Sequence, residues 1–206
     1  MIGAKTSTPT FGSALFWNVP VAPAAVEALR ALLGVLPRFG EWYLFGAQAV
    51  SAYGVPRLSA DLDVTVRLSV DAPERLVDGM RAAGFDLRVS DPEFVRRARV
   101  LPFVHTSTGM PLDVVLAGSG LEDEFLARAR VLDIEGLRVP TLEPSDLVIA
   151  KILAGRPKDI EDVRGLVSAK GKELDVARIE SVLRLLEEAL AQSDLLPAWR
   201  AARGRP

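Results

Sequence analysis

The chain has 206 residues, of which 25 are Lys or Arg and 27 are Asp or Glu, and its net charge of −2 gives no overall attraction for nucleic acid. It contains no cysteine, which excludes disulfides, thiolate metal sites and cysteine nucleophiles and favours a cytoplasmic location. Its length and its 49% hydrophobic content suit one large domain with a proper core. The early apolar stretch, residues 11–25, is interrupted by Asn18, Pro20 and Pro23, so we expect neither a signal peptide nor a membrane-spanning segment.

The first predicted elements are a helix, a strand and a second, short helix. Apolar residues recur at helical spacing over 22–36, and the aromatic and apolar run Trp42–Phe45 predicts a buried strand. Gly46 then opens a helix of small residues over 47–53, which Gly54 ends. A strand that passes through a glycine into a helix directs free backbone N–H groups at the space above the turn. Such a turn is suited to phosphate oxygens.

The next predicted strand, residues 61–66, carries two aspartates. Side chains alternate along a strand, so Asp61 and Asp63 project from the same face, about 6–7 Å apart. Strands disfavour aspartate, and two neighbouring carboxylates repel each other unless a cation or a partner lies between them. The pair indicates either a divalent-metal site or a solvent-facing edge strand in which Asp61 ends the preceding turn.

Helices and strands alternate over residues 73–139. The strand predicted over 110–116 contains one aspartate, Asp113, among apolar residues. A carboxylate in such a place is costly unless it is paired or bound to a metal, and the alternative is an edge-strand aspartate that faces water. His105, the only histidine, is expected to be structural. The other elements predicted in this region are helices over 73–83, 91–98 and 120–130, strands over 85–89 and 100–105, and a hairpin over 131–139.

The helix predicted after Ser145, its expected N-cap, is apolar on every side and should be buried. Its one polar residue is Lys151, and a buried lysine needs a partner, so we expect its ammonium to meet an anion rather than to reach solvent. Replacing Lys151 with methionine is then expected to leave the fold intact or more stable. The helix that follows has Pro157 in its first turn, with Asp159 and Asp162 beside its apolar stripe. Two more helices are predicted over 174–191 and 195–202.

Two blocks of residues resemble the nucleotidyltransferase superfamily, and most closely its bacterial abortive-infection and toxin-type members. The first block is a glycine-led turn followed by Asp-apolar-Asp, and the second is a spaced set of basic and acidic residues. Ala47 departs from the first pattern, since glycine or serine is usual there, and it supplies no hydroxyl for a triphosphate. The matching residues are Gly46, Ala49, Gly54, Arg57, Ser59, Asp61 and Asp63 in the first block, and Lys151, Arg156, Lys158, Asp159 and Asp162 in the second.

The resemblance implies an α+β (mixed α/β) fold. Its core sheet, flanked by helices, would occupy residues 1–140, and a helical region packed on that core would occupy residues 141–206. The implied reaction is attack by an acceptor on the α-phosphate of a nucleoside triphosphate, with release of pyrophosphate. The implied catalytic residues are Asp61, Asp63, Asp113 and Lys151, of which the three aspartates would bind Mg²⁺ or Mn²⁺. The implied nucleotide-binding residues are Gly46, Ala47, Arg57, Ser59, Lys151, Asp159 and Asp162.

The acceptor stays open among RNA, a protein hydroxyl and a small molecule. A cognate antitoxin is a further partner that the resemblance implies. The arginines near residues 96–99 and those at the C-terminal end either contact RNA or form a solvated basic surface. The alternative function is a catalytically inactive protein that binds a nucleotide or a partner, with Ala47 as a mark of decay.

Overall fold

The computed structural model describes residues 22–57, 59–69, 73–89, 91–118 and 120–204. The expectation that the chain carries no signal peptide concerns residues that lie mostly outside these ranges. Within the described ranges, no helix is long and apolar enough to cross a membrane. The helices are α1 Pro23–Val35, α2 Gly46–Ala52, α3 Pro73–Ala82, α4 Pro92–Arg97, α5 Leu121–Arg128, α6 Pro144–Ala154, α7 Pro157–Lys170, α8 Val176–Leu190 and α9 Leu195–Arg203.

The strands form one mixed sheet in the order β3-β4-β5-β2-β1-β7-β6. Strands β1 and β2 are antiparallel, whereas β2 and β5, like β1 and β7, are parallel. Because β2 and β5 are interior strands, the prediction of an edge strand is wrong for both, although Asp61 does lie in the connection before β2, as one interpretation expected. The strands are β1 Trp42–Phe45, β2 Leu62–Val66, β3 Phe85–Leu87, β4 Val100–His105, β5 Pro111–Leu116, β6 Arg130–Ile134 and β7 Leu137–Thr141.

The alternation of side chains divides the central strands into a core face and a polar face. Leu62, Val64 and Val66 of β2 are fully buried, as are Leu112 and Val114 of β5. The intervening aspartates therefore lie on the opposite face. At one end of that face, α2 packs on α7, and α7 packs on α6 and α9. The predicted α+β architecture is confirmed.

The start of α6 differs from the prediction. Glu143, not Ser145, is the N-cap, and its carboxylate accepts hydrogen bonds from the backbone N–H groups of Ser145 and Asp146. Pro144 accounts for the difference, because proline is favoured at the first helical position and so places the cap at Glu143, two residues before the predicted one. The Ser145 hydroxyl instead accepts a hydrogen bond of 2.9 Å from the backbone N–H of Asp175, which precedes α8.

Candidate active site

A cavity of about 210 Å³ lies on the polar face of the sheet, where the β1–α2 turn, the aspartate strands and helices α6 and α7 meet. Asp63 and Asp113 are direct partners in the parallel β2–β5 pair, so their side chains are neighbours on one face. Asp61 comes immediately before β2, two residues before Asp63, and is exposed. The cavity is lined by Phe45, Gly46, Ala47, Arg57, Ser59, Asp61, Asp63, Asp113, Leu147, Ala150, Lys151, Ala154, Arg156, Lys158 and Asp159.

Gly46 allows the turn into α2 to lie against Asp63. It has a positive φ of 68°, a conformation that favours glycine. A Cβ atom at this position would overlap the Asp63 Oδ2 atom. The preceding residue, Phe45, is the direct strand partner of Asp63. A glycine is therefore needed at position 46 both for its backbone conformation and for the space that the carboxylate occupies.

The environment of Asp63 disfavours its charged form. Burial raises the pKa of Asp63 to about 6, and the negative charges of Asp61 and Asp113 act in the same direction. The positive charges of Lys151 and Arg156 oppose this shift. The Asp63 carboxylate thus lies among like charges that a bound cation would relieve.

The other two aspartates each have a partner. The Ser59 hydroxyl donates a hydrogen bond of 2.5 Å to Asp61 Oδ1, which fixes the orientation of that carboxylate. Arg88 Nη2 donates to Asp113 Oδ1 at 2.7 Å. Arg88 belongs to neither sequence motif, and sequence reasoning misses it because its contact depends on the strand order of the sheet.

Lys151 is buried and meets two carboxylates. Its ammonium lies 2.9 Å from Asp159 Oδ1 and 2.8 Å from Asp162 Oδ2. The expectation of an anionic partner is confirmed, and the partners in this structure are the two aspartates of α7. Arg57 also forms an ion pair with Asp162, and Arg156 Nε lies 2.5 Å from Asp159 Oδ2. Two buried acids and three bases thus form one network in the wall of the cavity.

This network keeps Asp159 ionised. Burial alone would raise the pKa of Asp159, but hydrogen bonds from Arg156 and Lys151 outweigh it and hold that pKa below its ordinary value. Three of the four bases that line the cavity are engaged in these pairs. The fourth, Lys158, is exposed and forms no ion pair with any residue in the described part of the chain.

The structure therefore gathers the residues that the two motifs predict. Asp162 lies just behind the wall, where it contacts Lys151 and Arg57, and the other predicted catalytic and nucleotide-binding residues line the cavity. Ala49 and Gly54, which also match the first block, do not line it. Across the ranges that the structure describes, no three His, Cys, Asp or Glu side chains are close enough together to hold a metal ion. Carboxylate oxygens are nevertheless the ligands that Mg²⁺ and Mn²⁺ prefer, and Asp61 and Asp63 share one side of the cavity. The carboxylate chemistry of the cavity therefore suits such an ion.

A mixed sheet with an Asp-x-Asp strand beside a glycine-led helix is the arrangement of nucleotidyltransferases. A family model described as a nucleotidyltransferase of unknown function (DUF6036) matches residues 44–196, and the chain belongs to this family. The predicted superfamily is confirmed, and the protein is a nucleotidyltransferase. No curated protein matches the sequence.

Solved structures support the fold. The antibiotic-resistance factor ANT(2″)-Ia, determined in solution, has a TM-score of 0.55 at 17% identity, with 82% of this chain and 93% of that chain covered. Its crystal structure in complex with adenylyl-2″-tobramycin has a TM-score of 0.54 at 17% identity, with 83% and 99% covered. An antigenic nucleotidyltransferase-like protein from Paracoccidioides brasiliensis has a TM-score of 0.50 at 18% identity, with 85% and 91% covered.

Proposed function

We propose that the protein transfers a nucleoside monophosphate from a nucleoside triphosphate to an acceptor hydroxyl and releases pyrophosphate. The observation that carries this proposal is the arrangement of Asp61, Asp63 and Asp113 around one cavity, although Asp113 is distant from the other two in sequence. The acceptor oxygen forms a bond to the α-phosphorus, and the bond from that phosphorus to the bridging oxygen of the β-phosphate breaks. The proton of the acceptor hydroxyl passes to a carboxylate oxygen of Asp113.

The metal in this proposal is Mg²⁺ or Mn²⁺, which Asp61, Asp63 and Asp113 would hold. When bound, such an ion supplies positive charge that stabilises the reacting phosphate and the leaving oxygen. Ser59 orients Asp61 by its hydrogen bond, and Gly46 leaves the space that Asp63 needs. Burial and the neighbouring aspartates raise the pKa of Asp63, and the positive charge of a bound cation would lower that pKa again and favour the ionised carboxylate.

The contacts of the basic residues suggest a division of labour among them. Lys151 is buried and its ammonium is held by two carboxylates, so its role is to position Asp159 and Asp162 rather than to reach far into the cavity. Arg156 is 60% exposed and Lys158 is exposed, and both line the cavity. We assign the triphosphate contacts to these two residues, together with the backbone at Gly46 and Ala47. Arg57 supports the site from the loop after α2, through its pair with Asp162.

The acceptor is the open part of the proposal. RNA, a protein hydroxyl and a small molecule remain the candidates, and a toxin role with an antitoxin partner and a cytoplasmic location remain predictions. One structural neighbour, ANT(2″)-Ia, was crystallised with adenylyl-2″-tobramycin. Aminoglycosides therefore belong in the panel of acceptors to be tested.

The test is transfer of label from α-³²P nucleotides in the presence of Mg²⁺ or Mn²⁺. The label must be on the α-phosphate, because a kinase moves only the γ-phosphate. All four nucleotides are offered with total bacterial RNA, a protein lysate, aminoglycosides, or the protein alone. We expect labelled product with at least one acceptor, and none from the Asp61→Asn/Asp63→Asn variant.

Two controls make this result specific. Asp86→Asn alters an exposed strand carboxylate that does not line the cavity, so this variant should retain full transfer. Thermal melts establish that each variant is folded. Label that survives in the Asp61→Asn/Asp63→Asn variant would come from a contaminant. Nucleotide binding without transfer to any acceptor would favour the binding module over the enzyme.

A further inference from the structure

Arg88 occupies the same row of the sheet as the aspartates. Its backbone N–H donates a hydrogen bond of 2.8 Å to the carbonyl of Pro102 in β4. Pro102 is the direct partner of Asp113, which is in turn the partner of Asp63. Residues aligned across neighbouring strands present their side chains on one face, so Arg88 lies on the polar face, two strands from Asp113.

The guanidinium of Arg88 reaches across Pro102 to the third carboxylate. The Nη2 atom lies 2.7 Å from Asp113 Oδ1, on the side away from Asp63. Arg88 itself does not line the cavity, whereas Asp113 does. The carboxylate of Asp113 is therefore shared between the cavity and a cation outside it.

The ion pair between Arg88 and Asp113 is exposed to solvent, so another cation can replace the arginine. The Arg88 and Asp113 side chains are 44% and 39% exposed, and ion pairs of this kind contribute little to stability. Neither residue is buried in a way that would make the pair necessary for folding. In the described part of the chain, the three aspartates are also not gathered closely enough to hold a metal ion. Arg88 contacts Asp113 on the side away from Asp63.

We propose that Arg88 is a positioning residue that holds one oxygen of the Asp113 carboxylate on the side away from Asp63 until a divalent cation displaces it. This inference rests on the proposed function, since it assumes that the three aspartates form the cation site. Arg88 then acts against cation binding in two ways. Its guanidinium occupies Asp113 Oδ1, and its positive charge repels the incoming cation.

The test is the affinity of the purified protein for Mn²⁺ alone, measured by electron paramagnetic resonance of the free ion. Arg88→Gln should bind Mn²⁺ about 3- to 10-fold more tightly than the wild type, since one ion pair and one repulsive charge are lost. Arg88→Lys keeps the charge and should remain near the wild-type affinity. Arg97→Gln is the matched control, because it removes an equal charge from an exposed arginine that pairs with Glu93 on α4.

The origin of the effect is tested in an Asp113→Asn background. There the Arg88→Gln change should shift Mn²⁺ affinity by clearly less than it does in the wild type, because the ion pair with Asp113 is already absent and only the repulsion between the arginine and the cation remains to be removed. If Arg88→Gln shifted Mn²⁺ affinity as much in that background as in the wild type, Arg88 would not act through Asp113. Its effect would then be explained by its charge alone. An Arg88→Gln affinity equal to or weaker than that of the wild type would also overturn the inference.

The same titrations separate this inference from the proposed function. Mn²⁺ binding that Asp63→Asn abolishes but Arg88→Gln leaves unchanged would retain the metal site and reject the role of Arg88. Binding that appears only in Arg88→Gln would support the restraint in its strongest form. Absence of binding in both proteins would reject the metal site and the restraint together.

Discussion

Asp63 combines burial with two like charges, and this raises its pKa from 3.8 to about 6. A carboxyl group whose folded-state pKa is raised stabilises the fold fully below its unfolded pKa, and that stabilisation is lost as the pH rises through about 6. The ionised Asp63 of the metal-free protein is therefore a destabilising group at neutral pH.

Asp63→Asn should consequently be more stable than the wild type at pH 7.5 in EDTA, by about 1–3 kcal/mol. The difference should disappear as the pH falls below about 3, where Asp63 is protonated in both the folded and the unfolded states. Urea unfolding at the two pH values measures this difference in the free energy of unfolding. The control Asp86→Asn should differ from the wild type by less than about 0.5 kcal/mol at both. Equal stability of Asp63→Asn and the wild type at pH 7.5 would contradict the charge argument.

Removal of the Lys151 charge should destabilise the protein, in contrast to removal of the Asp63 charge. The sequence suggests that Lys151→Met would be harmless, but the structure shows that this change would leave Asp159 and Asp162 buried without their shared ammonium. We expect Lys151→Met to lower the free energy of unfolding by about 2–4 kcal/mol. The loss should stay below the largest values for broken buried ion pairs, because Arg57 and Arg156 still contact the two acids. Arg156→Gln, which removes a 60% exposed partner of Asp159, should cost less than about 1 kcal/mol. Chemical denaturation of the two variants tests this ranking, and a Lys151→Met protein as stable as the wild type would refute it.

At the scale of single elements, the turn from β1 into α2 depends on Gly46. A Gly46→Ala protein must bear both the positive φ and the overlap of its Cβ atom with Asp63. Gly54 supplies a matched control, since it has a φ of 88° but a Cβ atom there would meet nothing within 4 Å. Gly54→Ala should therefore lower the free energy of unfolding only by the cost of the positive φ, about 1–2 kcal/mol, and Gly46→Ala should lower it by more. Mn²⁺ affinity should fall in Gly46→Ala but not in Gly54→Ala. If the two changes had equal effects on stability and on Mn²⁺ affinity, Asp63 would tolerate the added methyl group.

The sequence predicts most of these elements because their signals are local. The alternation of polar and apolar residues identifies β2 and β5, and glycines identify where α2 and α6 end. The signal that predicts burial of Lys151 is also local, since its helix has no polar side. The serine preference alone predicts the wrong cap for α6, because the preference of Pro144 for the first helical position prevails and makes Glu143 the cap.

The parts that the sequence does not predict depend on long-range geometry. A helical wheel shows that Lys151 needs an anion, but only the packing of α6 on α7 identifies Asp159 and Asp162 as that anion. Arg88 reaches Asp113 because β4 lies between β3 and β5 and sets their register. Neither contact has a signature in residue spacing.

At the scale of the whole molecule, the cavity joins the sheet to the C-terminal helices. Asp63 and Asp113 come from the central strands and Asp61 immediately precedes one of them. The helical side of the cavity, from α6 and the start of α7, supplies Lys151, Arg156, Lys158 and Asp159. The ion pair between Arg57 and Asp162 links the loop after α2 to α7 across this boundary. A ligand in the cavity would therefore contact both parts at once.

Because such a ligand binds only the folded protein, Mg²⁺ with a nucleoside triphosphate should raise the unfolding temperature. At a ligand concentration of 100 Kd the gain is about 2.7 kcal/mol, which corresponds to roughly 5–11 °C for a chain of this size. Nucleotide without Mg²⁺ should give a smaller shift, since the aspartates then repel the phosphates. The Asp61→Asn/Asp63→Asn variant should not respond to added Mg²⁺, whereas Asp86→Asn should respond like the wild type. A Mg²⁺-dependent shift of wild-type size in that double variant would mean that the nucleotide binds outside this cavity.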